Sequence, residues 1–315
     1  MVLSDKAKQY LLVALKLIIL VGMALFLYQK LWVDNGENLG QMWRFIKSEL
    51  PLFLIPIWFI LSLLNWALEA RKWQLLTATT QPVSYTLAWR QSYASLAASL
   101  LTPQRVGEYG AKALFFPPDK RKRILWLTFV GNFAQLTVTT VVGIPALIWM
   151  AISFDLPIST LNLILLFVVL LLLICFAYLI RKRQLLFQGL SLSALWKKTA
   201  SLPKEILWWV TIHSVLRYSI FSGLFVWMLI GFGAENDPSL LYGVCFAYYL
   251  LSSVTPMLFV LDVVVKSGIA IALFSLAGVP ELISLSAVLL GWILNFGIPA
   301  IIGSTIIANH KKAMA

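Results

Sequence analysis

The sequence predicts an all-α polytopic membrane protein, with about six full spans and two re-entrant helical hairpins in an inverted-topology repeat. Three observations carry this: little charge, apolar stretches of spanning length, and two interrupted apolar regions built alike. Of 315 residues, 60% are hydrophobic and only 12% charged, about half the charge that covers a soluble domain. Mean hydropathy is +0.87. Several apolar stretches reach the ~20 residues a helix needs to cross a ~30 Å hydrocarbon layer. Alternating strand patterns with turn residues are absent, which argues against a barrel. Helices are then what satisfies the backbone in lipid.

The spans are read in order. The first covers about 8–28 and, lacking a small-residue cleavage site, reads as a retained span. A mixed-charge segment, 30–50, follows as an interfacial helix with Trp32 and Trp43. The next spans are 51–69, stopping at Arg71-Lys72, then 124–151, 161–180, 206–230 and 282–307. Between them lie the interrupted regions 85–116 and 239–277. The whole chain, 1–315, reads as one integral membrane domain.

The net charge of +12 is concentrated in short clusters: 1–8, 71–72, 119–123, 181–204 (Arg181-Lys182-Arg183 and then the basic cytoplasmic linker 184–204), and 311–312. Clusters between apolar spans are topology signals and do not point to nucleic acid. The loops near Asp155, Glu235/Asp237 and Glu281 carry no Lys or Arg. By the positive-inside rule both termini are cytoplasmic. Each interrupted region must then return to the side it entered from. Cys175 and Cys245 lie in apolar stretches without metal or disulfide spacing, so both read as packing residues.

Segment 104–116 has room for only ~20 Å of helix, too short to cross, and reads as the second arm of a hairpin. Both regions break at Thr-Pro: Thr102-Pro103 and Thr255-Pro256. Thr caps a helix N-terminus and Pro suits the first helical position, so each pair marks a half-helix inside the membrane. An acid and a lysine one turn apart follow each break: Glu108/Lys112 and Asp262/Lys266. An offset of 153 joins the threonines, and 154 joins the charged pairs. Span–hairpin–span therefore occurs twice, over 51–151 and 206–307, in opposite orientation. Inverted repeats with broken helices meeting at the midplane are a transporter architecture.

Charged residues inside a membrane are costly and mark function. Arg105, Glu108 and Lys112 share one helical face, with Gly107 and Gly110 beside them, and Gly268 in the second hairpin, allowing close approach of another backbone or a lipid. Two readings of the acid–lysine pairs stand side by side: mutual neutralisation of buried charge, and ligand contact. Arg105 and Arg217 lack acidic partners at helical spacing, and planar arginine suits a phosphate. The substrate-binding candidates are thus Arg105, Glu108, Lys112, Arg217, Asp262 and Lys266. His213, one turn before Arg217, reads as an interhelical hydrogen-bonder or a titrating group. Asn65, Asn132 and Gln135 read as helix–helix glue, and Lys16 and Arg90 as snorkelling residues. There is no phosphate-binding glycine loop, no His-Glu-x-x-His helix and no Gly-x-Ser-x-Gly elbow, so no cofactor, metal or catalytic residue is expected.

The run Thr102-Pro103-Gln104-Arg105-Val106-Gly107-Glu108 resembles the Pro-Gly-Arg-x-Gly-Glu pattern of the lysylphosphatidylglycerol synthase transmembrane-region family, the lipid-flippase domain of bacterial multiple-peptide-resistance proteins. Gln104 replaces the usual glycine. In the second hairpin, Val265-Lys266-Ser267-Gly268 keeps a cation and the glycine, but Ser267 stands where that family has glutamate. The resemblance implies a stand-alone flippase domain, without the aminoacyltransferase, moving a phospholipid or polyprenyl-phosphate lipid across the bacterial inner membrane. The alternatives are a polyprenyl-diphosphate phosphatase-like hydrolase, which also uses opposed hairpins, and a non-transporting partner of a lipid-modifying enzyme.

This topology has a direct check. In a cysteine-labelling scan of sealed cells, position 191 is expected to resist an impermeant external reagent and position 236 to react. External labelling at 191 would mean the two hairpins enter from the same face.

Overall fold

The computed structural model describes residues 48, 52–100, 102, 106–154, 199–255 and 262–314, with side chains as far as 309. The expected spans 8–28 and 161–180, the interfacial segment apart from Ser48, and most of the linker 184–204 lie outside the described residues. So do Pro103, Arg105 and Pro256.

Every described element is helical. α1 is Ile55–Thr77, α2 Tyr85–Leu100, α3 Val106–Leu114, α4 Pro118–Ser153 and α5 Lys204–Gly231. α6 is Pro238–Val254, α7 Asp262–Leu276, α8 Glu281–Trp292 and α9 Ile298–Met314, with the π-helical turn Ile293–Gly297 joining the last two. Among the described residues, three stretches are long and apolar enough to cross a membrane: α4, α5 and the continuous helix Glu281–Asn309.

Local sequence explains the ends. Pro118 opens α4, and Pro238 opens α6, where a missing N–H is harmless. Asp237 caps α6 by accepting the Ser239 N–H at 2.7 Å, and these hydrogen bonds hold its carboxyl below the usual carboxylate range. The basic run at the start of α4 pins the base of the first hairpin. Lys120 donates to Gln81, Arg121 to the Phe116 carbonyl and Arg123 to the Thr79 carbonyl.

Both predicted interruptions separate two helices: α2 ends before Thr102 with α3 beyond it, and α6 ends before Thr255 with α7 beyond it. One boundary differs from expectation. α1 does not stop at Arg71-Lys72 but runs on to Thr77. Arg71 is exposed while Lys72 is sealed inside, because an internal carboxylate receives its charge.

α1 packs along α5, α4 along α6, and α9 along α2; α3 folds back between α2 and α4, as α7 does between α6 and α8. Two of these contacts depend on glycine. A side chain at Gly143 of α4 would collide with the Phe246 carbonyl and Leu250 of α6. One at Gly303 of α9 would collide with the Tyr93 carbonyl and Ala97 of α2. Small residues at such crossings let backbones touch where lipid provides no hydrophobic drive. The largest buried cluster joins α5, α6, α7 and α8 around Phe225, Tyr248 and Phe274, with Trp58 of α1 and Met150 of α4 at its edge.

Candidate functional site

The site begins with a polar stripe on α1. Ser62, Asn65, Glu69 and Lys72 recur at spacings of three and four, which places them on one face, and all four are buried. Trp66, Trp73 and Leu76 continue that face.

Glu69 is the meeting point. Its Oε2 accepts from Lys72 Nζ at 2.8 Å and from Arg217 Nη1 of α5 at 2.6 Å. Its Oε1 lies 3.6 Å from Lys112 Nζ of α3, which also pairs with Glu108 at 3.2 Å. Lys112 lies 4.5 Å over the Trp73 ring, and Lys72 also donates to the Gly131 carbonyl at 3.4 Å. Arg217 has a second anchor: its Nε donates to Asn65 Oδ1 at 3.0 Å, with the guanidinium over Trp66. In the second hairpin, Lys266 donates to Asp262 at 2.6 Å and stands 4.7 Å from the Phe296 ring centre.

These groups surround one cavity of about 700 Å³, within the size range of ligand pockets. Glu69, Glu108, Arg217, Asp262 and Lys266 all line it. Asn65, Asn132, Gln135 and Asn295 add polar wall, and Tyr218, Phe221, Tyr249, Trp292 and Phe296 an aromatic one. The hydroxyl of the buried Tyr218 and Oε1 of Gln135 have no hydrogen-bond partner among the described residues. Four cations (Lys72, Lys112, Arg217, Lys266) stand against three carboxylates (Glu69, Glu108, Asp262). Fully ionised, this described set carries one excess positive charge, and such a charge in an apolar bundle calls for a counter-anion.

Of the residues expected from sequence, Glu108, Arg217, Asp262, Lys266, Thr102 and Thr255 line the cavity. Lys112 is sealed behind the wall and holds Glu69 and Glu108 in place. Arg217 is not the unpartnered cation that helical spacing suggests, since its carboxylate comes from another helix, 148 residues away in the chain. Thr102 accepts the Gly107 N–H at 2.7 Å while donating back towards the Ala98 or Ser99 carbonyl. Thr255 closes the preceding helix instead, donating to the Leu251 carbonyl at 2.7 Å. Gly107 sits so close to the Ala98 carbonyl that any Cβ would collide with it. Gly110 makes no such backbone contact: a side chain there would meet nothing within 4 Å. Gly268 is buried within α7.

Asn132 and Gln135 line the cavity, and Gln135 also donates to the Ser214 carbonyl. His213 is bound to its own helix, its Nδ1 lying 2.7 Å from the Trp209 carbonyl oxygen. Arg90 is exposed. Glu69, Lys72 and Asn295 are site residues that the sequence expectations do not include. The first two were legible in the Ser62–Asn65–Glu69–Lys72 stripe; Asn295 had no signal beyond being polar in an apolar run.

Comparison with protein-family models, curated proteins and solved structures finds no match for this chain.

The cluster has a stability signature. Glu69→Gln removes the carboxylate on which Lys72, Lys112 and Arg217 meet, and should cost about 3–5 kcal/mol in detergent unfolding, the loss expected on breaking a buried ion pair. Lys72→Met in the same chain should recover part of that loss. Arg71→Gln, on the exposed side, should stay within ~0.5 kcal/mol of wild type.

Proposed function

We propose that this protein is a lipid flippase-like transporter that moves an anionic, phosphate-bearing lipid across the bacterial inner membrane. The observation that carries the reading is the shared cavity: Glu108 of the first hairpin, Asp262 and Lys266 of the second, and Arg217 of α5 converge on one polar space inside an apolar helical bundle. A headgroup crossing there would exchange water for fixed charges, while its acyl chains stay among lipid-facing helices.

The repeat expected from sequence belongs to this proposal, and the packing supports it. In such a repeat α1 corresponds to α5, α2 to α6, α3 to α7, and α4 to the α8–α9 helix. The contact of α4 with α6 then has its mate in that of α9 with α2, and α3 on α4 has its mate in α7 on α8. The detail agrees too. Gly143 meets Phe246 and Leu250, whereas Gly303 meets Tyr93 and Ala97. An offset of 153 converts Tyr93 to Phe246 and Ala97 to Leu250, the offset that joins Thr102 to Thr255. With both termini cytoplasmic, the two copies face opposite sides of the bilayer, the arrangement that alternating access uses.

Phosphate contact falls to Arg217 and Lys266, the partly accessible cations of the cavity, at 19% and 22% side-chain exposure against 1% and 2% for Lys72 and Lys112. Arg105, outside the described residues, is proposed as a further contact on its motif position alone. A guanidinium offers the bidentate fork that a phosphate takes.

Reconstitution tests this. In phosphatidylcholine vesicles containing fluorescently labelled phosphatidylglycerol, wild type should expose the inner-leaflet label to an external quencher. Arg217→Ala should slow that exposure more than about tenfold, and Arg217→Lys, which keeps charge without the fork, should lie between. Release of inorganic phosphate from a polyprenyl diphosphate would instead make the protein a hydrolase. Wild-type rates in Arg217→Ala would remove Arg217 from the path.

A further inference from the structure

The helix α8–α9 is widened to a π turn at Ile293–Gly297, and π turns inside α-helices concentrate at functional sites. α1 donates side-chain hydrogen bonds to two carbonyls of this turn. Ser62 Oγ reaches the Leu294 carbonyl at 3.0 Å, and Trp66 Nε1 reaches that of Asn295 at 3.1 Å. The same turn brings the Asn295 side chain, 2% exposed, against α1.

The hydrogen bonds of Asn295 fix its orientation. Its Nδ2 donates to the Gly291 carbonyl at 3.1 Å, so its Oδ1 is the end that faces α1. That oxygen accepts from Asn65 Nδ2 at 3.3 Å and is also within reach of Ser62 Oγ, at 3.1 Å. Asn65 therefore has one allowed orientation, with its own Oδ1 turned away from Asn295 and towards Arg217. That oxygen takes the Arg217 Nε–H at 3.0 Å. A flipped Asn65 would aim its NH2 at a guanidinium that can only donate. Glu69 takes Nη1, and of the five N–H groups of an arginine these two bonds use two. The other three have no partner among the described residues, and Arg217 lines the cavity.

We propose that Asn295 and Asn65 are positioning residues for Arg217: a two-amide relay, set by the π turn of the last helix, that aims the guanidinium into the cavity. Its bearing on transport rests on the function proposed above, but the relay itself is a statement about Arg217.

The test reads Arg217 directly. In 15N-arginine-labelled protein in detergent, the Nε–H resonance that disappears in Arg217→Lys belongs to Arg217. Its exchange with water should speed up at least about tenfold in Asn295→Leu and equally in Asn65→Leu, as loss of one buried hydrogen bond implies. Asn65→Asp keeps an acceptor for Nε and should preserve most of the protection. Unchanged exchange in Asn295→Leu overturns the relay. In vesicles, Asn295→Leu should raise the half-saturating fraction of labelled phosphatidylglycerol in the wild-type background, and leave it unchanged in Arg217→Lys. An equal effect in both backgrounds would mean that Asn295 only supports the fold, and would also overturn the relay. If wild-type vesicles move no lipid, the transport reading fails, while the exchange data still decide the relay.

Discussion

Glu69 holds its carboxylate where cations from three helices arrive: Lys72 from α1, Lys112 from α3 and Arg217 from α5. None of these charges would be tolerated alone in an apolar interior, where each costs several kcal/mol. Together they fix geometry. The α1–α5 packing aligns Asn65 and Glu69 with Arg217, and α3 is held over Trp73 by the same lysine that bridges Glu69 and Glu108. The charged wall of the cavity follows from that alignment. Removing one member strands the others, so the cluster constrains the stripe on α1, the docking of the first hairpin and the direction of Arg217 at once.

The second hairpin is built with less constraint. Asp262 and Lys266 pair with each other, Lys266 also stands over the Phe296 ring, and both remain partly accessible. The two ion groups therefore differ: a cluster around Glu69 that seals Lys72 and Lys112 and leaves only Arg217 partly accessible, and an Asp262–Lys266 pair accessible at both members. In the proposed transporter the buried members of the cluster set the position of Arg217, and Arg217 and Lys266 are the cations a headgroup meets.

Much of this was readable from sequence, and the failures share a cause. The breaks at Thr102 and Thr255 and the acid–lysine steps are local patterns, set by helical periodicity and punctuation: a helix ends before each threonine and both pairs form one turn apart, but only Thr102 bonds forward to the next helix, while Thr255 closes the helix before it. Helical spacing reports partners only within one helix and so leaves Arg217 without one, whereas Glu69 comes from a distant segment. Arg71-Lys72 read as the end of a span because adjacent basic residues usually meet water. One step along a helix turns a side chain by ~100°, so Arg71 faces out while Lys72 continues the stripe inward. Asn295 was beyond reach, because nothing local in Gly291–Gly297 announces a π turn. Of the two glycines of the first hairpin, Gly107 makes the close backbone contact, against the Ala98 carbonyl, and Gly110 faces open space.

The account stands or falls on what occupies the cavity. The most direct measurement is an electron cryomicroscopy map of the protein in nanodiscs of native lipid, read at Arg217. The account predicts headgroup density against the cavity side of the guanidinium and near Lys266, with Arg217 still bonded to Glu69 and Asn65, and acyl chains leaving between helices. A cavity filled by protein side chains, or lipid density confined to the outer surface with Arg217 turned away from the cavity, would contradict it.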